Sequence, residues 1–436
     1  MRRDYLKARR RFIYLVVCMA MALAASLPAD LGRVAAENTH ATREGRLAVF
    51  DDVWSTINQR YYDRNFQGLD WQAQRATYRD LAANADSSQE LYSLLRRMIA
   101  SLDDSHTRIF APEERFDWWR PRFVTIGASV TEIDGVPVVV NVEPGSVAHR
   151  AGIRPGDLIE SVNGSPALDI IERRLGNPIA ASTGVSRMRA FSSIFDGAAS
   201  SSVEVGWRTR DGKLKKARFQ RYWQQRELGV RMHMKDRVAI VNMDVFTRRV
   251  AEVLTTALRK DLREARALIL DFRTNGGGDA EAMIDVASAF LASGLNMGQF
   301  TDRFGYSYSI TTRTKSPFIP QVIQQTQVPV IILAGARTSS AAEIFIAAFK
   351  SAGRARVIGN QTCGCVLAIR HRHTLPDGGI LDVSEMDYQT ANWNRLEKRG
   401  VQPDIAVPVD RADLYAKRDR AMELAMAELK RNSLSN

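Results

Sequence analysis

The sequence predicts a layered α/β core that follows a helical region and a β-rich segment. Three observations support this prediction. The segment from about Leu47 to Leu102 has helical periodicity, short β-like runs begin at about Phe123, and buried strands alternate with helices after Arg237. The chain has 436 residues, which allows two or three domains of typical size. With 45% hydrophobic and 25% charged residues, its composition excludes wholesale disorder and low-complexity classes.

The N-terminal segment has the composition of an export signal. Six basic side chains against Asp4 give residues 1–11 a charge of +5, out of +12 for the whole chain. An uncharged run from Phe12 to Leu27 follows. We therefore predict a signal peptide or membrane anchor over residues 1–36, and an exported protein that is periplasmic or extracellular. A retained leader would anchor it to the inner membrane.

The basic balance of the chain is a weak indication of nucleic-acid binding. The sequence pI of about 9.8 would favour nucleic acid or an anionic membrane as a partner. Outside the leader, however, the basic residues are scattered, and no zinc-finger or RNA-binding motif is present. We therefore expect no nucleic-acid partner.

Residues 37–120 are predicted to form an N-terminal helical region. Its clearest helix places six apolar residues on one face: Leu91, Leu94, Leu95, Met98, Ile99 and Leu102. Ser87 and Glu90 have the spacing of a capping box at the start of this helix. The pair Ser105-His106 follows the helix. A lone histidine there is more often structural than catalytic, unless the fold brings it to a serine that needs a base.

Residues 121–222 combine short β runs with a helical insert. Asn163-Gly164 is a strong turn signal. The insert spans about Ala167 to Ser201 and is rich in small residues. A hairpin is predicted from Val203–Trp207, the Asp211-Gly212 turn and Lys213–Phe219.

Residues 223–412 are predicted to form the α/β core, and residues 413–436 a mixed-charge helix on the surface. The predicted core elements are strand Val238–Val241, helix Ala251–Leu262, strand Ala267–Phe272, helix Ala280–Leu291, strand Val328–Ala334 and a helix that begins at Ser340.

A glycine loop, Asp271–Gly278, connects a predicted buried strand to a helix. Glycines let backbone amides turn toward an anion without obstruction by a Cβ atom. The dinucleotide-binding pattern fails because Glu281 stands where its last glycine belongs, and no Walker lysine follows. A tight turn, a phosphate cradle and an oxyanion site for acyl chemistry all remain open.

Ser339 and Ser340 lie between a predicted buried strand and the next helix. A serine at this place exposes its hydroxyl, and the following amide can stabilise negative charge. The simpler role is helix capping, with Glu343 completing a capping box. On this segment alone, capping is the favoured interpretation.

Cys363 and Cys365 are the only cysteines that remain once the leader is removed. They could form a disulfide in an oxidising compartment or stay as small buried thiols. A structural metal site would need four ligands, and the chain has no second cysteine pair. A catalytic cysteine is the least favoured alternative.

Taken together, these segments resemble the C-terminal processing (tail-specific) serine peptidases and their tricorn-core relatives, over about Leu47 to Arg411. The segment from Ala151 to Gly164 resembles a PDZ domain. The matches to the peptidase core are Asp271–Gly278, Ser340-x-x-Glu343, Leu375–Gly379 and Glu397–Ile405. The resemblance implies a PDZ domain with a helical insert over 121–222, and a ClpP/crotonase-like α/β peptidase core over 223–412.

One departure from the family pattern bears on the mechanism. In the lysine-dependent branch of the family, a Gly-Lys-Gly segment supplies the general base, but Cys365 stands at that position here. The tricorn-like branch instead uses a Ser-His pair and a glutamate. The resemblance therefore implies a tetrad of Ser105, His106, Ser340 and Glu397, with Ser340 as the nucleophile and His106 as the general base.

The resemblance also implies the parts of the site that bind substrate. The Ala341 amide and an amide from Gly276 or Gly277 would hold the oxyanion. The carboxylate-binding loop of the PDZ domain would consist of Ile126, Gly127, Ala128 and Ser129.

The expected function is that of an exported serine endopeptidase that cleaves polypeptides near unfolded C-terminal tails selected by the PDZ domain. The expected partners are polypeptides with free C-termini, and any association with a membrane would be through the N-terminal segment. No metal and no cofactor is implied. Because the family lysine is missing, the alternative is a catalytically inactive relative that binds peptides or a small apolar ligand.

Overall fold

The computed structural model describes residues 41–114, 122–175, 184–225, 227–316 and 326–434. The predicted leader over 1–36 lies outside the described residues. Within these ranges, no helix is both long and apolar enough to cross a membrane.

The N-terminal region consists of the helices α1 Arg43–Arg60, α2 Trp71–Ala83 and α3 Ser88–Ala100, followed by the short strand β1 Arg108–Phe110. The predicted helix with an apolar face is confirmed as α3, which begins where the Ser87 hydroxyl accepts a hydrogen bond from the Glu90 amide at 3.1 Å. The Glu90 carboxylate accepts from the Asp86 amide at 2.7 Å instead of from Ser87. The sequence signal therefore located the start of the helix, although only half of the capping box forms.

The β-rich segment forms a six-stranded antiparallel sheet, with helices packed against it, and a separate two-stranded sheet. Its elements are β2 Arg122–Thr125, β3 Ala128–Ile133, β4 Val136–Val142, α4 Val147–Arg150, β5 Leu158–Val162, β6 Ser165–Pro166, α5 Ala167–Leu175, α6 Gly184–Ser192, β7 Ser202–Arg208, β8 Leu214–Gln220 and β9 Tyr222–Gln225. The strand order is β3-β4-β5-β7-β8, with β6 paired to β5, while β2 and β9 pair separately. Strand β3 lies at the sheet edge, and α6 packs against it.

The local predictions for this segment are confirmed. Asn163 and Gly164 both have positive φ, at 50° and 79°, in the turn between β5 and β6. The predicted hairpin is formed by β7 and β8. The helical insert is present as α5 and α6.

The C-terminal half is an α/β core built on a central sheet. Its elements are β10 Val230–Lys235, β11 Val238–Met243, α7 Arg248–Arg259, β12 Ala267–Asp271, α8 Ala280–Ser288, β13 Asn296–Asp302, β14 Ser307–Thr311, β15 Val330–Ala334, α9 Ala341–Ser351, β16 Ala355–Gly359, β17 Arg372–Thr374, β18 Ile380–Asp382, β19 Met386–Gln389, β20 Ile405–Ala406, α10 Arg411–Ala416 and α11 Arg420–Leu434. The sheet order is β10-β11-β12-β15-β16-β20, and every pair except β10–β11 is parallel.

Helices cover both faces of this sheet. Helices α7, α8 and α9 pack on one face, and α11 packs on the other. Strands β12 and β15 are consequently buried throughout, which explains their continuous apolar sequences. Because β12 and β15 are parallel neighbours, their carboxyl ends bring the glycine loop and the Ser339-Ser340 turn to the same edge.

The C-terminal segment differs from the single surface helix that the sequence predicted. It forms two helices, α10 and α11, separated where Lys417 adopts a left-handed conformation with φ 53°. Ala421, Ala425 and Leu429 are buried against the central sheet. Two of these three residues are alanines among many charges, so the buried stripe is too weak a signal to recognise from the sequence.

Strand β1 connects the helical region to the core. It pairs antiparallel with β18, which pairs in turn with β17. The helices α1 to α3 also share a hydrophobic cluster with Leu375, Leu381 and Val383 of the core. These contacts hold Ser105-His106, between α3 and β1, against the α/β core.

Candidate active site

Ser340 occupies a sharp turn immediately before α9. Its backbone has φ 56° and ψ −127°, a conformation that residues other than glycine rarely adopt. Its amide donates to the Cys365 carbonyl at 2.8 Å and to the Glu343 carboxylate at 3.2 Å. The turn is therefore held by two acceptors, one of which is the glutamate that the sequence proposed for a capping box.

The glycine loop packs directly against this turn. Gly277 has φ 89°, and a Cβ atom there would lie 2.6 Å from Ser340 Cβ and 3.0 Å from the Ala341 amide nitrogen. Any side chain at Gly277 would therefore displace the serine. This close approach explains why the loop requires glycine at this position.

The amides expected to hold an oxyanion differ in their availability. The Gly276 amide donates to the Asp244 carbonyl at 3.2 Å, and the Gly277 amide donates to Asn275 Oδ1 at 2.9 Å. Ala341 is the first residue of α9, so its amide has no acceptor within the helix. In this structure both glycine amides thus have acceptors within the protein.

Ser105, His106 and Glu397 form a buried hydrogen-bonded chain. The Ser105 hydroxyl lies 2.6 Å from His106 Nδ1 and donates to Glu397 Oε2 at 3.2 Å. A hydroxyl has one proton, so if it is donated to Glu397, His106 Nδ1 carries the hydrogen that completes the other bond. That tautomer, assigned from the network, leaves Nε2 free to accept a proton.

The loop 362–367 lies between this chain and the Ser340 turn. Glu397 Oε2 accepts from the Val366 amide at 2.8 Å and from the Leu367 amide at 3.3 Å, while the neighbouring Cys365 carbonyl binds the Ser340 amide. Among the described residues, no hydrogen bond joins the Ser340 hydroxyl to the His106 ring. The loop therefore links the two halves of the predicted tetrad, which no direct hydrogen bond between Ser340 and His106 joins.

Cys363 and Cys365 form a disulfide within this loop. Neither residue has a free thiol in this state, which excludes Cys365 as a thiolate nucleophile while the bond is intact. Among the described residues, no group of three or more His, Cys, Asp and Glu side chains could hold a metal ion.

Burial governs the ionisation of the site. Burial raises the pKa of Glu397 to about 7, and it does the same to Glu343, in both cases against hydrogen bonds that lower it. Burial, followed by the positive charges of Arg108 and Arg189, holds the pKa of His106 well below its ordinary value of 6.5. The imidazole is consequently neutral near pH 7, as a proton acceptor must be.

Two residues of the site were missed from the sequence, and the contacts of a third were not predicted. Asp104 accepts from the His106 and Thr107 amides, both at 2.7 Å, and so shapes the turn that carries the histidine. Arg189 of α6 donates to the carbonyls of Asp104 and Ser105. Glu343 was predicted as a cap and as part of the peptidase-core motif, but its contacts with loop 362–367 were not predicted. It accepts from Thr362 Oγ1 at 2.5 Å, Gly364 N at 2.7 Å and Cys365 N at 2.8 Å. Asp104 is part of a local Asp-Ser-His-Thr turn that was visible in the sequence, whereas the contact of Arg189 depends on the tertiary fold.

The loop expected to bind a peptide carboxylate precedes and begins the edge strand β3. Gly127 has φ 81°, and a Cβ atom there would lie 2.1 Å from Ser146 Cβ, so only glycine fits. The Gly127 amide donates to the Thr125 hydroxyl at 2.8 Å, and the carbonyl of the buried Ile126 accepts from the Ala148 amide. Ala128 and Ser129 pair with β4.

Family models match three parts of the chain in the order that the fold has them. The model for peptidase family S41 matches residues 237–407, the tricorn protease C1 domain matches 43–100, and a PDZ domain matches 138–175. This chain is a PDZ-containing serine peptidase of the C-terminal processing family.

The similarity to curated relatives extends over most of this chain. Carboxyl-terminal-processing peptidase 2 from the chloroplast of Arabidopsis thaliana is 28% identical over 382 residues, covering 83% of this chain and 68% of the relative. The carboxyl-terminal-processing protease of Picosynechococcus sp. is 26% identical over 375 residues and covers 82% of each.

Solved structures share the fold of the peptidase. The photosystem II D1 C-terminal processing protease has a TM-score of 0.54 and 24% identity, covering 83% of this chain and 93% of that one. Mature CPAF complexed with lactacystin has a TM-score of 0.63 and 14% identity, covering 85% and 95%. The predicted combination of helical region, PDZ domain and α/β peptidase core is therefore confirmed.

Proposed function

We propose that this peptidase is an exported endopeptidase that cleaves polypeptides near unfolded C-terminal tails, with Ser340 as the nucleophile and His106 as the general base. The observation that carries the proposal is the hydrogen-bonded chain His106–Ser105–Glu397, which is joined through loop 362–367 to the amide of Ser340. It would supply a general base to a chain that lacks the lysine of the other branch.

The proposed reaction begins with attack of Ser340 Oγ on the scissile carbonyl. His106 Nε2 takes the hydroxyl proton and later returns it to the leaving amine. The Ser105 hydroxyl and the Glu397 carboxylate stabilise the imidazolium that forms between these steps. Because the resting site has no hydrogen bond between Ser340 and His106, substrate binding has to bring the two side chains together.

The Ala341 amide is the first donor proposed for the oxyanion. It lies at the N-terminal end of α9, where the helix dipole favours negative charge. The amide immediately after a nucleophile is suitably placed to stabilise a tetrahedral intermediate.

Selection of C-terminal tails is proposed for the PDZ domain. Among the described residues, its edge strand β3 pairs with a strand on one side only, which leaves the other side for a peptide strand, and α6 packs against β3. The terminal carboxylate would bind at residues Ile126 to Ser129, after release of the Gly127 amide from the Thr125 hydroxyl. Binding through a carboxylate distinguishes chain ends from internal segments.

A serine-reactive fluorophosphonate probe, combined with hydrolysis of an unfolded polypeptide, tests the catalytic proposal. Wild type should be labelled and should cleave, Ser340→Ala should do neither, and His106→Ala should lose roughly 1,000-fold or more in kcat. Folded wild type that is not labelled and leaves the polypeptide intact after long incubation would sink the proposal. Equal labelling of wild type and Ser340→Ala would assign the nucleophile elsewhere.

Matched peptides test the role of the PDZ domain. The same sequence is offered with a free C-terminal carboxylate and with a C-terminal amide. We expect the amide to lower kcat/KM by about 10-fold, because charge-assisted hydrogen bonds to the carboxylate are lost. Equal kcat/KM values for the two peptides would remove carboxylate capture from the proposal.

Export is the remaining part of the proposal, and it depends on the predicted signal over residues 1–36. Cell fractionation of the full-length chain should find the protein outside the cytoplasm, whereas a variant with Arg2, Arg3, Lys7, Arg9, Arg10 and Arg11 changed to glutamine should accumulate inside. N-terminal sequencing of the exported form would show whether the leader is removed.

A further inference from the structure

We propose that the side-chain amide of Asn275 is a further oxyanion donor, an inference that rests on Ser340 being the nucleophile. The tetrahedral intermediate of peptide hydrolysis requires preorganised donors around its oxygen, and two are typical. Ala341 supplies one. Both glycine amides expected to supply the other have acceptors within the protein, as described above.

Asn275 has an unused donor. The residue is completely buried, and its Nδ2 group has no hydrogen-bond partner among the described residues. Leaving a buried donor unpaired costs about 1–3 kcal/mol, so an unpaired group in a native site calls for an explanation. A donor kept for the transition state is such an explanation, since its partner appears only when the substrate oxygen becomes charged.

The remaining contacts of Asn275 fix it beside the nucleophile. Its backbone carbonyl accepts from the Ser339 amide at 3.0 Å, and its Oδ1 accepts from the Gly277 amide at 2.9 Å. Gly277 in turn packs against Ser340 Cβ. Asn275 is therefore held beside the Ser340 turn by one contact of its backbone and one of its carboxamide.

These contacts also fix the orientation of the carboxamide. Rotating it by half a turn would place Nδ2 opposite the Gly277 N–H, donor against donor, so Oδ1 must face Gly277. The NH₂ group is consequently the part of the carboxamide that has no partner among the described residues, and because it is buried in the resting state, a substrate oxygen reaches it only when substrate binding moves the adjacent Ser340 turn.

Two substitutions separate a donor from a merely structural residue. Asn275→Asp retains the size and the acceptor for the Gly277 amide but removes the NH₂ donor. Asn275→Ala removes both, without adding charge. If Asn275 donates to the oxyanion, both variants should lose about 100-fold to 1,000-fold in kcat with KM changed by no more than about threefold. The rate of fluorophosphonate labelling should fall in parallel, because that reaction also places an anionic oxygen in the site.

Asn296→Asp provides a matched control. Asn296 Oδ1 accepts from the Gly298 amide at 2.8 Å, the same local arrangement as in Asn275 and Gly277, but on β13 and exposed to solvent. This variant should retain wild-type kcat and KM. Melting temperatures and near-UV circular dichroism would establish that each variant is folded, and Asn275→Leu, which keeps the branched shape of the side chain, replaces Asn275→Ala if the alanine variant does not fold.

Each alternative role of Asn275 predicts a different pattern of kcat loss in the two variants. Loss in Asn275→Ala alone would mean that the residue only holds Gly277, and loss in Asn275→Asp alone would mean that only the added charge matters. Either result overturns the inference, as does wild-type kcat in both variants. Inactive, unlabelled wild type would instead overturn the proposed function, so the two failures are distinguishable.

Discussion

Two buried glutamates connect the proposed nucleophile to the proposed base. Glu343 accepts hydrogen bonds from Ser340 and from the first half of loop 362–367, and Glu397 accepts from its second half and from Ser105. Each carboxylate therefore orders a different side of the site when it is ionised. Protonation of either would convert an acceptor oxygen into a donor and weaken these contacts.

We expect kcat/KM to rise as the pH increases through about 7, the pKa to which burial raises both Glu343 and Glu397. The direction follows because the ionised forms accept the hydrogen bonds, whereas His106, with its lowered pKa, is already neutral in this range. Two carboxylates titrating together should give log(kcat/KM) a slope of about two below the midpoint.

The slope of the pH profile distinguishes the carboxylates from the histidine. Glu397→Gln and Glu343→Gln should each reduce the slope to about one, and each should lower the plateau by about 10-fold or more. A wild-type profile with slope one that neither substitution changes would assign the pH dependence to another group.

For individual residues, the sequence predicted which residues belong to the site better than it predicted their hydrogen-bond partners. The resemblance identified Ser105, His106 and Glu397, which the fold joins. It also named Gly276 and Gly277 as donors, but their amides have acceptors in Asp244 and Asn275. Which acceptor an amide finds depends on how a neighbouring strand and side chain pack, and no local sequence pattern encodes that.

Among the elements, α6 connects the PDZ domain to the proposed base. Its Arg187 pairs with Glu132 of β3, while Arg189, two residues later, binds the Asp104 and Ser105 carbonyls. These two arginines thus contact different partners, one within the PDZ domain and one beside the catalytic turn. Helix α6 therefore contacts both the edge strand β3 and the turn that carries Ser105 and His106.

Removing the Arg189 guanidinium should raise the pKa of His106, because its positive charge is one cause of the depression. We expect Arg189→Ala to move the histidine titration to higher pH and to lower kcat by about 10-fold, because the turn loses two hydrogen bonds. The titration can be followed by NMR of isotope-labelled histidine.

Arg187→Ala is the matched control for this prediction. It removes a guanidinium that pairs with Glu132 of β3 and is not one of the charges that lower the pKa of His106, so the His106 titration should stay where it is. An unchanged titration in Arg189→Ala would show that burial alone sets the pKa of the histidine.

The disulfide-closed segment Cys363–Cys365 is a second element with a specific position in the site. Its Cys365 carbonyl binds the Ser340 amide and its Cys365 amide binds Glu343. Opening the ring would give these main-chain groups more freedom, since a cross-link restricts the conformations available to a segment.

We therefore expect reduction by a dithiol to lower kcat by about 10-fold, reversibly on reoxidation. The variant with both Cys363 and Cys365 changed to serine should have the lower kcat from the start and should not respond to the dithiol. Full activity of the reduced wild type, with thiol titration proving the bond open, would contradict this expectation.

Elements with a strong local pattern were predicted, and elements defined by tertiary contacts were not. Strands β11, β12 and β15 and helix α9 could be located because burial on both faces leaves a continuous apolar sequence. The sheet β14-β13-β19 was not predicted, because its strands include exposed positions, as in β14, and lack a continuous apolar sequence. The division of the C-terminal segment into α10 and α11 was missed because a lysine, not a glycine, occupies the left-handed position.

In the whole molecule, the helical region and the α/β core share a hydrophobic cluster that includes Leu95, Leu375, Leu381 and Val383. The hydroxyl of Tyr92 on α3 also binds Asp377 of the core, at 2.9 Å to each carboxylate oxygen. Ser105-His106 lies directly after α3. A molecule that lost this shared cluster would therefore lose the position of its base, even if the central sheet remained folded.

We expect the helical region and the core to unfold as one cooperative unit. Both contribute residues to this cluster, so unfolding of either part would expose the apolar residues of the other. Leu95→Ala, at a position with no exposed surface, should lower the free energy of unfolding by about 2–5 kcal/mol. Hydrogen exchange should then accelerate in peptides of α3 and of β12 together. Leu81→Ala on α2, where the side chain is 51% exposed, should cost no more than about 0.5 kcal/mol. Faster exchange confined to residues 43–100 would instead show that the helical region opens independently, and activity should then be lost on heating before the central sheet unfolds.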